Sequence, residues 1–254
     1  MKVLILTSEM RIGGTCRDAV EWANRLAGRG DFVVLIAQSA TGEGVDRLSP
    51  AVKLEGLGGG RALLSAGRLL RLLRRHPEAA ILANAGTLAG LAIIFRGLGL
   101  IGQRIIYVDP FNPADTFRRD RKTAAIYRHL LWRADAFVHL SDFAERFHLK
   151  LGLCPDKSWQ IPNISNRSIE AASVRPLGPA LRCVAVGRLD KIKGFDRLIG
   201  AFGKVAARWP GATLRIIGEG YDRPRLEEAI RKAGLGDCVK LVGHSDDVRA
   251  ELRQ

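Results

Sequence analysis

Cysteine is sparse and dispersed: Cys16, Cys154, Cys183 and Cys238 share no short spacing. That excludes the paired-cysteine patterns of zinc sites and disulfide frameworks, and a reducing compartment suits such a chain best. Aromatic residues are few, 6% of the total, and Trp22, Trp132 and Trp209 fall in helical patterns that suit packing. Nucleic-acid binding wants exposed rings interleaved with basic residues or a recognition helix, so no nucleic-acid partner is expected. No short-period repeat points to a solenoid. No hydrophobic run is long and clean enough to span a membrane. The most apolar stretch, Ala79 to Ile101, is broken by Asn84, Thr87, Arg96 and several glycines, and reads as a strand followed by a buried helix. Met1–Met10 does not read as a secretion signal either: the apolar run Val3 to Leu6 is too short, and Ser8 and Glu9 follow at once. It reads as a buried first strand.

Acidic residues are in short supply as well, with 26 Asp+Glu against 40 Lys+Arg and a net charge of +14. The excess favours anionic partners such as phosphates, nucleotide diphosphates or acidic lipid surfaces, without choosing among them. What the chain does have is apolar residues, 47% of 254. That is enough for a sizeable core and two domains.

Short β-branched runs alternate with helical stretches, which predicts parallel α/β architecture. The expected strands are Val3–Leu6, Phe32–Ala37, Val52–Leu57, Ala80–Ala83, Arg104–Val108 and Ala136–Leu140. Helices are expected at Thr15–Ala27, Ala62–Arg75, Gly86–Phe95, Thr116–Trp132 and Asp142–Leu149, with an exit turn at Ile161-Pro162-Asn163. Periodicity is lost between Asn166 and Ala180, where Ser, Gly, Pro176 and Pro179 collect, so residues 166–180 read as a linker between domains 1–165 and 181–254. The second domain repeats the alternation: strand Cys183–Val186, helix Phe195–Arg208, strand Thr213–Ile217, helix Arg223–Ala233, strand Val239–Val242.

The strongest chemical signal is Val184-Ala185-Val186-Gly187-Arg188-Leu189-Asp190-Lys191-Ile192-Lys193-Gly194. An apolar strand delivers its carboxyl end, where open α/β sheets bind ligands, into a loop carrying Arg188, Lys191 and Lys193. A helix starts after Gly194, and its first N–H groups and dipole favour an anion. Arg offers a two-pronged donor for phosphate oxygens, Lys a movable point charge. The alternative is a solvated basic loop with no ligand. Leu214 to Gly220 adds a second strand and a Gly-X-Gly turn that would lie beside the first loop at the same sheet edge. Arg11-Ile12-Gly13-Gly14-Thr15 joins the first strand to a helix; it either brings backbone N–H groups to a phosphate or is merely a tight turn. It lacks the third glycine and later acid of a dinucleotide fingerprint. Gly58-Gly59-Gly60 reads as a plain connection.

Taken together, these motifs resemble glycosyltransferase family 4. That family's second domain opens with Gly-Arg-Leu…Lys-Gly, seen here from Gly187 to Gly194. An Ala-Phe helix ending in Pro follows (Ala201, Phe202, Pro210), then Leu-X-Ile-Ile-Gly-X-Gly (Leu214–Gly220), a Leu-Glu helix (Leu226, Glu227) and Val-X-Leu-X-Gly (Val239–Gly243). In the first domain, Gly13-Gly14 with Arg17, Leu26 through Gly30, Ala134-Asp135-Ala136…Ser141 and Ile161-Pro162-Asn163 are similar to family signatures. The resemblance implies a GT-B fold of two Rossmann-like domains with parallel sheets, the second incomplete here. It also implies a retaining hexosyltransferase-like enzyme, moving a sugar from a nucleotide-diphosphate sugar to a glycan or lipid-linked acceptor in polysaccharide or lipopolysaccharide assembly. Arg188 and Lys193 would grip the donor diphosphate, with Gly13 and Gly14 approaching it. Gly218, Glu219, Gly220 and Gly243 would border the nucleoside, and no cofactor or metal is implied. Charge on the departing diphosphate would be stabilised electrostatically.

The sequence departs from the family at three places. Its donor-sugar Glu-X7-Glu stretch lies beyond the strand matching Val239–Val242. Glu219 and Glu227 share that spacing but belong to the preceding turn and helix, and read as a decoy. Where many members carry a His, this chain has Tyr107-Val108-Asp109-Pro110; Asp109 is the candidate catalytic residue, or else a carboxylate capping a turn. The family's Asn-Gly-Val-Asp becomes Asn163-Ile164-Ser165-Asn166. Two alternative functions follow: a truncated donor-binding or inactive fragment, and a GT-B sugar-nucleotide epimerase.

Arg68, Arg71, Arg74 and Arg75, interleaved with Leu69, Leu70, Leu72 and Leu73, form a basic amphipathic helix. It either lies on an anionic membrane surface or packs on the core with a solvated Arg face. Arg118-Arg119-Asp120-Arg121-Lys122 would extend that surface. The expected location is cytoplasmic, with peripheral contact to the inner face of the membrane.

Overall fold

The computed structural model describes residues 1–11, 13–110, 125, 128–163, 181–245 and 247–253. The expected linker 166–180 and the Arg118–Lys122 cluster lie outside them, as does most of the expected helix Thr116–Trp132. The chain divides into two compact units, Met1–Arg167 and Ser168–Gln254.

Unit 1 is built on a sheet of strands β1 (Lys2–Glu9), β2 (Phe32–Ser39), β3 (Val52–Gly56), β4 (Ala80–Ala83), β5 (Ile105–Asp109), β6 (Ala136–His139) and β7 (Ser158–Gln160). Their spatial order is β3-β2-β1-β4-β5-β6-β7, and every pairing is parallel. Strand order therefore reverses between β1 and β4. The helices are α1 (Gly14–Gly28), α2 (Ala66–Arg74), α3 (Gly86–Gly97) and α4 (Asp142–Lys150). Both faces of the central strands are covered, which is why β1 and β2 read as continuous apolar runs. Successive side chains go to opposite faces. Val3, Ile5, Val33 and Leu35 pack with Ala19, Val20 and Ala23 of α1. Leu4, Leu6, Val34 and Ile36 pack with Leu69, Leu73, Leu88 and Ala92 of α2 and α3.

The apolar stretch Ala79 to Ile101 resolves into β4 and the 12-residue α3, and among the described residues no helix is long and apolar enough to cross a membrane. The expected helix over 62–75 begins as a 3₁₀ turn, Ala62–Ser65, before α2. β7 was not foreseen: Ser-Trp-Gln is too short to show a period of two, and its partner β6 defines it.

Two of the resembling motifs turn out to hold the unit together. The Asp135 carboxylate accepts from the Ile105 N–H (2.7 Å) and pairs with Arg96, tying α3 to the start of β5. Ser141 caps α4 by accepting from the Ala144 N–H at 3.3 Å, the usual use of a hydroxyl at a helix start.

Unit 2 holds a parallel sheet in the order β10-β9-β8, from β8 (Arg182–Val186), β9 (Thr213–Ile217) and β10 (Val239–Gly243). Helices α5 (Phe195–Arg208) and α6 (Arg223–Lys232) follow the first two strands, and α7 (Val248–Arg253) follows the third. Leu214 and Ile216 of β9 meet Ile199, Phe202, Leu226 and Ile230 in one core.

At the carboxyl ends of β5 and β6, two histidines are enclosed. His139 and His148 are fully buried, their rings stacked at 5.1 Å between centroids with Phe137 against both. Burial pulls each imidazole down to about 4, with neighbouring His139 adding to the effect on His148. Both rings are thus neutral in the folded chain at pH 7. The unfolded chain takes up protons as pH falls through about 6.5 and the folded chain does not until about 4, so stability is lost across that interval. Each tenfold difference in proton affinity between the two states corresponds to about 1.4 kcal/mol, so the loss is on the order of a few kcal/mol. Denaturant unfolding of unit 1 should show that decline between about pH 7 and pH 4.5, and His139→Leu should flatten it. A variant with the wild-type pH slope would contradict this account.

Candidate functional site

The Arg/Lys loop of unit 2 leaves the carboxyl end of β8 and reaches α5 through a 3₁₀ turn, Lys191–Lys193. Asp190 organises this loop. Its Oδ1 accepts from the Ile192 N–H at 3.2 Å and caps the turn. The same oxygen accepts from the Tyr221 hydroxyl at 2.8 Å, while Oδ2 accepts from Arg188 Nη2 at 2.9 Å. With three donors on it, led by Tyr221, the carboxyl is held below its ordinary range. Arg188 remains 66% exposed at its side chain, with the other guanidinium N–H groups available. Lys191 and Lys193 are exposed beside it. Gly194, with φ 68°, turns the chain into α5, whose first turn has no side-chain cap. Asp196 stands in that first turn and takes the Arg197 N–H, which holds its carboxyl below its ordinary range. Three cations, Arg188, Lys191 and Lys193, thus precede a helix start in one loop, and such cations suit a phosphate anion.

The Gly218-Glu219-Gly220 turn lies directly on this loop. Gly187 N–H donates to Ile217 O (3.0 Å), Leu189 N–H to Glu219 O (2.9 Å) and Asp222 N–H to Leu189 O (3.1 Å). The two backbones are so close that a Cβ on Gly218 would stand 2.0 Å from Gly187 O, and one on Gly220 2.2 Å from Leu189 O. Both glycines are therefore required by the packing of one loop on the other, whatever else they border. Gly218 N–H also donates to Gly243 O (2.7 Å), which brings the end of β10 to the same edge. Glu219 is gripped by Arg223 through both oxygens, at 2.6 and 2.9 Å. Arg223 also holds Glu227 at 3.0 Å. The two glutamates with the Glu-X7-Glu spacing thus share one arginine along a helix.

In unit 1 the Gly13–Gly14 loop behaves differently. Gly13 is extended (φ −170°, ψ 172°) and Gly14 already helical. A Cβ on Gly14 would meet nothing within 4 Å and one on Gly13 only Arg11 O, at 4.0 Å. Neither backbone strain nor packing among the described residues calls for glycine here. α1 starts without a side-chain cap and with no acid in its first turn.

A small cavity, lined in part by Asp18, Trp22, Asn84, Val108 and Pro110, lies at the carboxyl edge of the sheet by the β1/β4 reversal. Such reversals are where open parallel sheets place ligands. Asn84 Nδ2 donates to Thr15 O at 2.8 Å across the reversal, and burial raises the Asp18 carboxyl above its ordinary range. Sequence reading passed over both residues. A polar side chain directly after a strand's carboxyl end was the available signal for Asn84. Asp109, the candidate catalytic residue, ends β5 with its side chain enclosed, Oδ2 3.7 Å from His148 Nε2.

Residues 180–254 match the family described as Glycosyl transferases group 1. A component of the phosphatidylinositol N-acetylglucosaminyltransferase of Arabidopsis thaliana is 34% identical over 96 residues, 37% of this chain and 22% of that protein. The chain thus matches about a fifth of that curated relative's length. Among solved structures, Anabaena HepE in complex with UDP and glucose superposes with a TM-score of 0.76 at 18% identity, covering 98% of this chain and 70% of that one. WaaG, a glycosyltransferase involved in lipopolysaccharide biosynthesis, gives 0.70 at 18% identity, over 98% and 71%. At these identities the likeness is one of fold: the α/β fold with parallel sheets of the GT-B glycosyltransferases.

The loop-on-loop packing is directly testable. Gly220→Ala should destabilise unit 2 by about 1–3 kcal/mol, the usual cost of overpacking. Gly200→Ala, in the middle of α5 where a Cβ meets nothing, should stabilise it by about 0.5–1 kcal/mol. Thermal denaturation followed by circular dichroism distinguishes the two. A Gly220→Ala protein that melts with the wild type would refute the packing assignment.

Proposed function

We propose that this chain acts as a retaining glycosyltransferase that takes its sugar from a nucleotide-diphosphate sugar. The observation that carries the reading is the loop that presents Arg188 and Lys193 immediately before α5, inside the segment that matches the Glycosyl transferases group 1 family. In the transfer, the bond from the anomeric carbon to the diphosphate oxygen breaks, one to an acceptor hydroxyl oxygen forms, and the hydroxyl proton leaves with the departing diphosphate. Negative charge then builds on the leaving diphosphate. Preorganised cations and N–H dipoles stabilise that charge more than they stabilise the ground state, which is how they accelerate the step. The reading assigns this work to Arg188 and Lys193 rather than to a resident metal. The Gly13–Gly14 loop is assigned to substrate approach, since among the described residues nothing crowds a Cβ there. Asp109 would have to leave its enclosed place beside His148 to touch a substrate.

For the acceptor we propose a glycan or lipid-linked molecule met at an anionic membrane surface. Arg68, Arg71 and Arg74 of α2 and Arg75 at its C-cap are all exposed while Leu69, Leu72 and Leu73 are buried. Among the described residues none of the four has a carboxylate partner, and Leu63 and Leu64 stand 73% and 85% exposed just ahead of them. Arginines without a carboxylate, beside exposed leucines, suit a layer of anionic headgroups over acyl chains.

Arg188→Ala should weaken UDP and GDP binding by about 10- to 100-fold, the worth of a charge-assisted phosphate contact, without changing the melting point. Unchanged affinity by calorimetry would end the donor assignment. Gly14→Leu should leave stability within about 0.5 kcal/mol yet sharply reduce sugar transfer. Co-sedimentation with anionic vesicles should be seen at low salt and fade as salt screens the arginines; absence of binding even at low salt would remove the membrane surface.

A further inference from the structure

Tyr221 is held the wrong way round for an ordinary tyrosine. A buried tyrosine usually packs its ring and leaves the hydroxyl near water. Here the polar end is fastened and the apolar ring faces solvent: the residue is 69% exposed, while its hydroxyl donates to Asp190 Oδ1 at 2.8 Å. The Lys191 backbone N–H also reaches the hydroxyl. Among the described residues no other ring and no cation lies over its face. A wet ring loses the burial that normally justifies an aromatic side chain.

The anchor relates the ring to the phosphate grip. Tyr221 and Arg188 hold the two oxygens of one carboxylate, at 2.8 and 2.9 Å. Asp190 is itself locked by the Ile192 N–H. At the other end, Gly220 is pressed against Leu189, so the backbone just before Tyr221 has little freedom. The ring is thus fixed at both its hydroxyl and its backbone, a short way from the guanidinium.

We propose that the Tyr221 ring is a preformed stacking platform for the base of the nucleoside diphosphate whose phosphates Arg188 grips, with Asp190 as the residue that positions both. The inference rests on the donor-binding reading above and adds a base contact to it. Stacking is tolerant of base identity, because every base offers a flat face. The ring would therefore favour nucleotides over inorganic diphosphate without selecting among bases.

The test compares UDP, GDP and inorganic diphosphate by calorimetry on the full chain and three variants, with circular dichroism confirming the fold. Tyr221→Ala should lose about 5- to 100-fold in affinity for UDP and GDP, while inorganic diphosphate stays within about twofold. Tyr221→Phe keeps the ring and should retain most of the nucleotide affinity. Arg188→Ala should lose affinity for all three ligands. Equal losses for nucleotide and inorganic diphosphate in Tyr221→Ala, or equal losses in Tyr221→Ala and Tyr221→Phe, would reduce Tyr221 to a strut and overturn the platform. If Arg188→Ala binds every ligand like the wild type, the donor reading itself fails, and the Tyr221 variants cannot rescue it.

Discussion

The direct contact of two glycine-bordered backbones in unit 2 is the constraint on which the candidate site depends. Gly218 and Gly220 lie where any side chain would overlap Gly187 O and Leu189 O, and backbone hydrogen bonds between the loops hold them there. Because a strand end and a turn are joined without intervening side chains, the cations carried by the first loop have a defined place. Asp190 completes the arrangement by collecting Arg188, Tyr221 and the Ile192 N–H on one carboxylate. A surface ion pair of this kind contributes little to stability. Its consequence is geometric: the guanidinium has a position before any ligand arrives, which lowers the ordering cost of binding.

Glycines that look alike in sequence do opposite things in the two units. In unit 2 they admit backbone against backbone. At Gly13 and Gly14, among the described residues, a Cβ would meet at most Arg11 O at 4.0 Å, so packing does not demand glycine there. The same division runs through the polar residues of the resembling motifs. Asp135 and Ser141 are consumed in holding α3, β5 and α4, and Glu219 and Glu227 in holding Arg223. Arg188 and Lys193 keep donors free toward solvent.

Much of the architecture was legible from the chain alone. Buried parallel strands carry continuous apolar runs, and crossover helices carry a period of 3.6 residues, so β1, β2, β4 and all three strands of unit 2 announce themselves. β7 did not, because three residues contain too little periodicity and the partner β6 supplies the pairing. Asn84 and Asp18 were overlooked because their significance arises where strand order reverses between β1 and β4, and adjacency of strands is a property of pairing rather than of local sequence.

Local composition by itself determined that this is a basic, two-part α/β chain with a cationic loop between a strand and a helix, since charge, period and glycine placement are each written within a few residues. Tertiary structure alone decided which residues share a partner. It placed Tyr221 and Arg188, 33 positions apart in sequence, on one carboxylate, and it enclosed Asp109 next to His148. It also gave Gly218 and Gly220 a steric necessity that Gly13 and Gly14 lack. The physical reason is common to all of these. A contact between distant residues depends on how two strands pair and how closely their loops approach, and neither is encoded in the neighbourhood of a single motif.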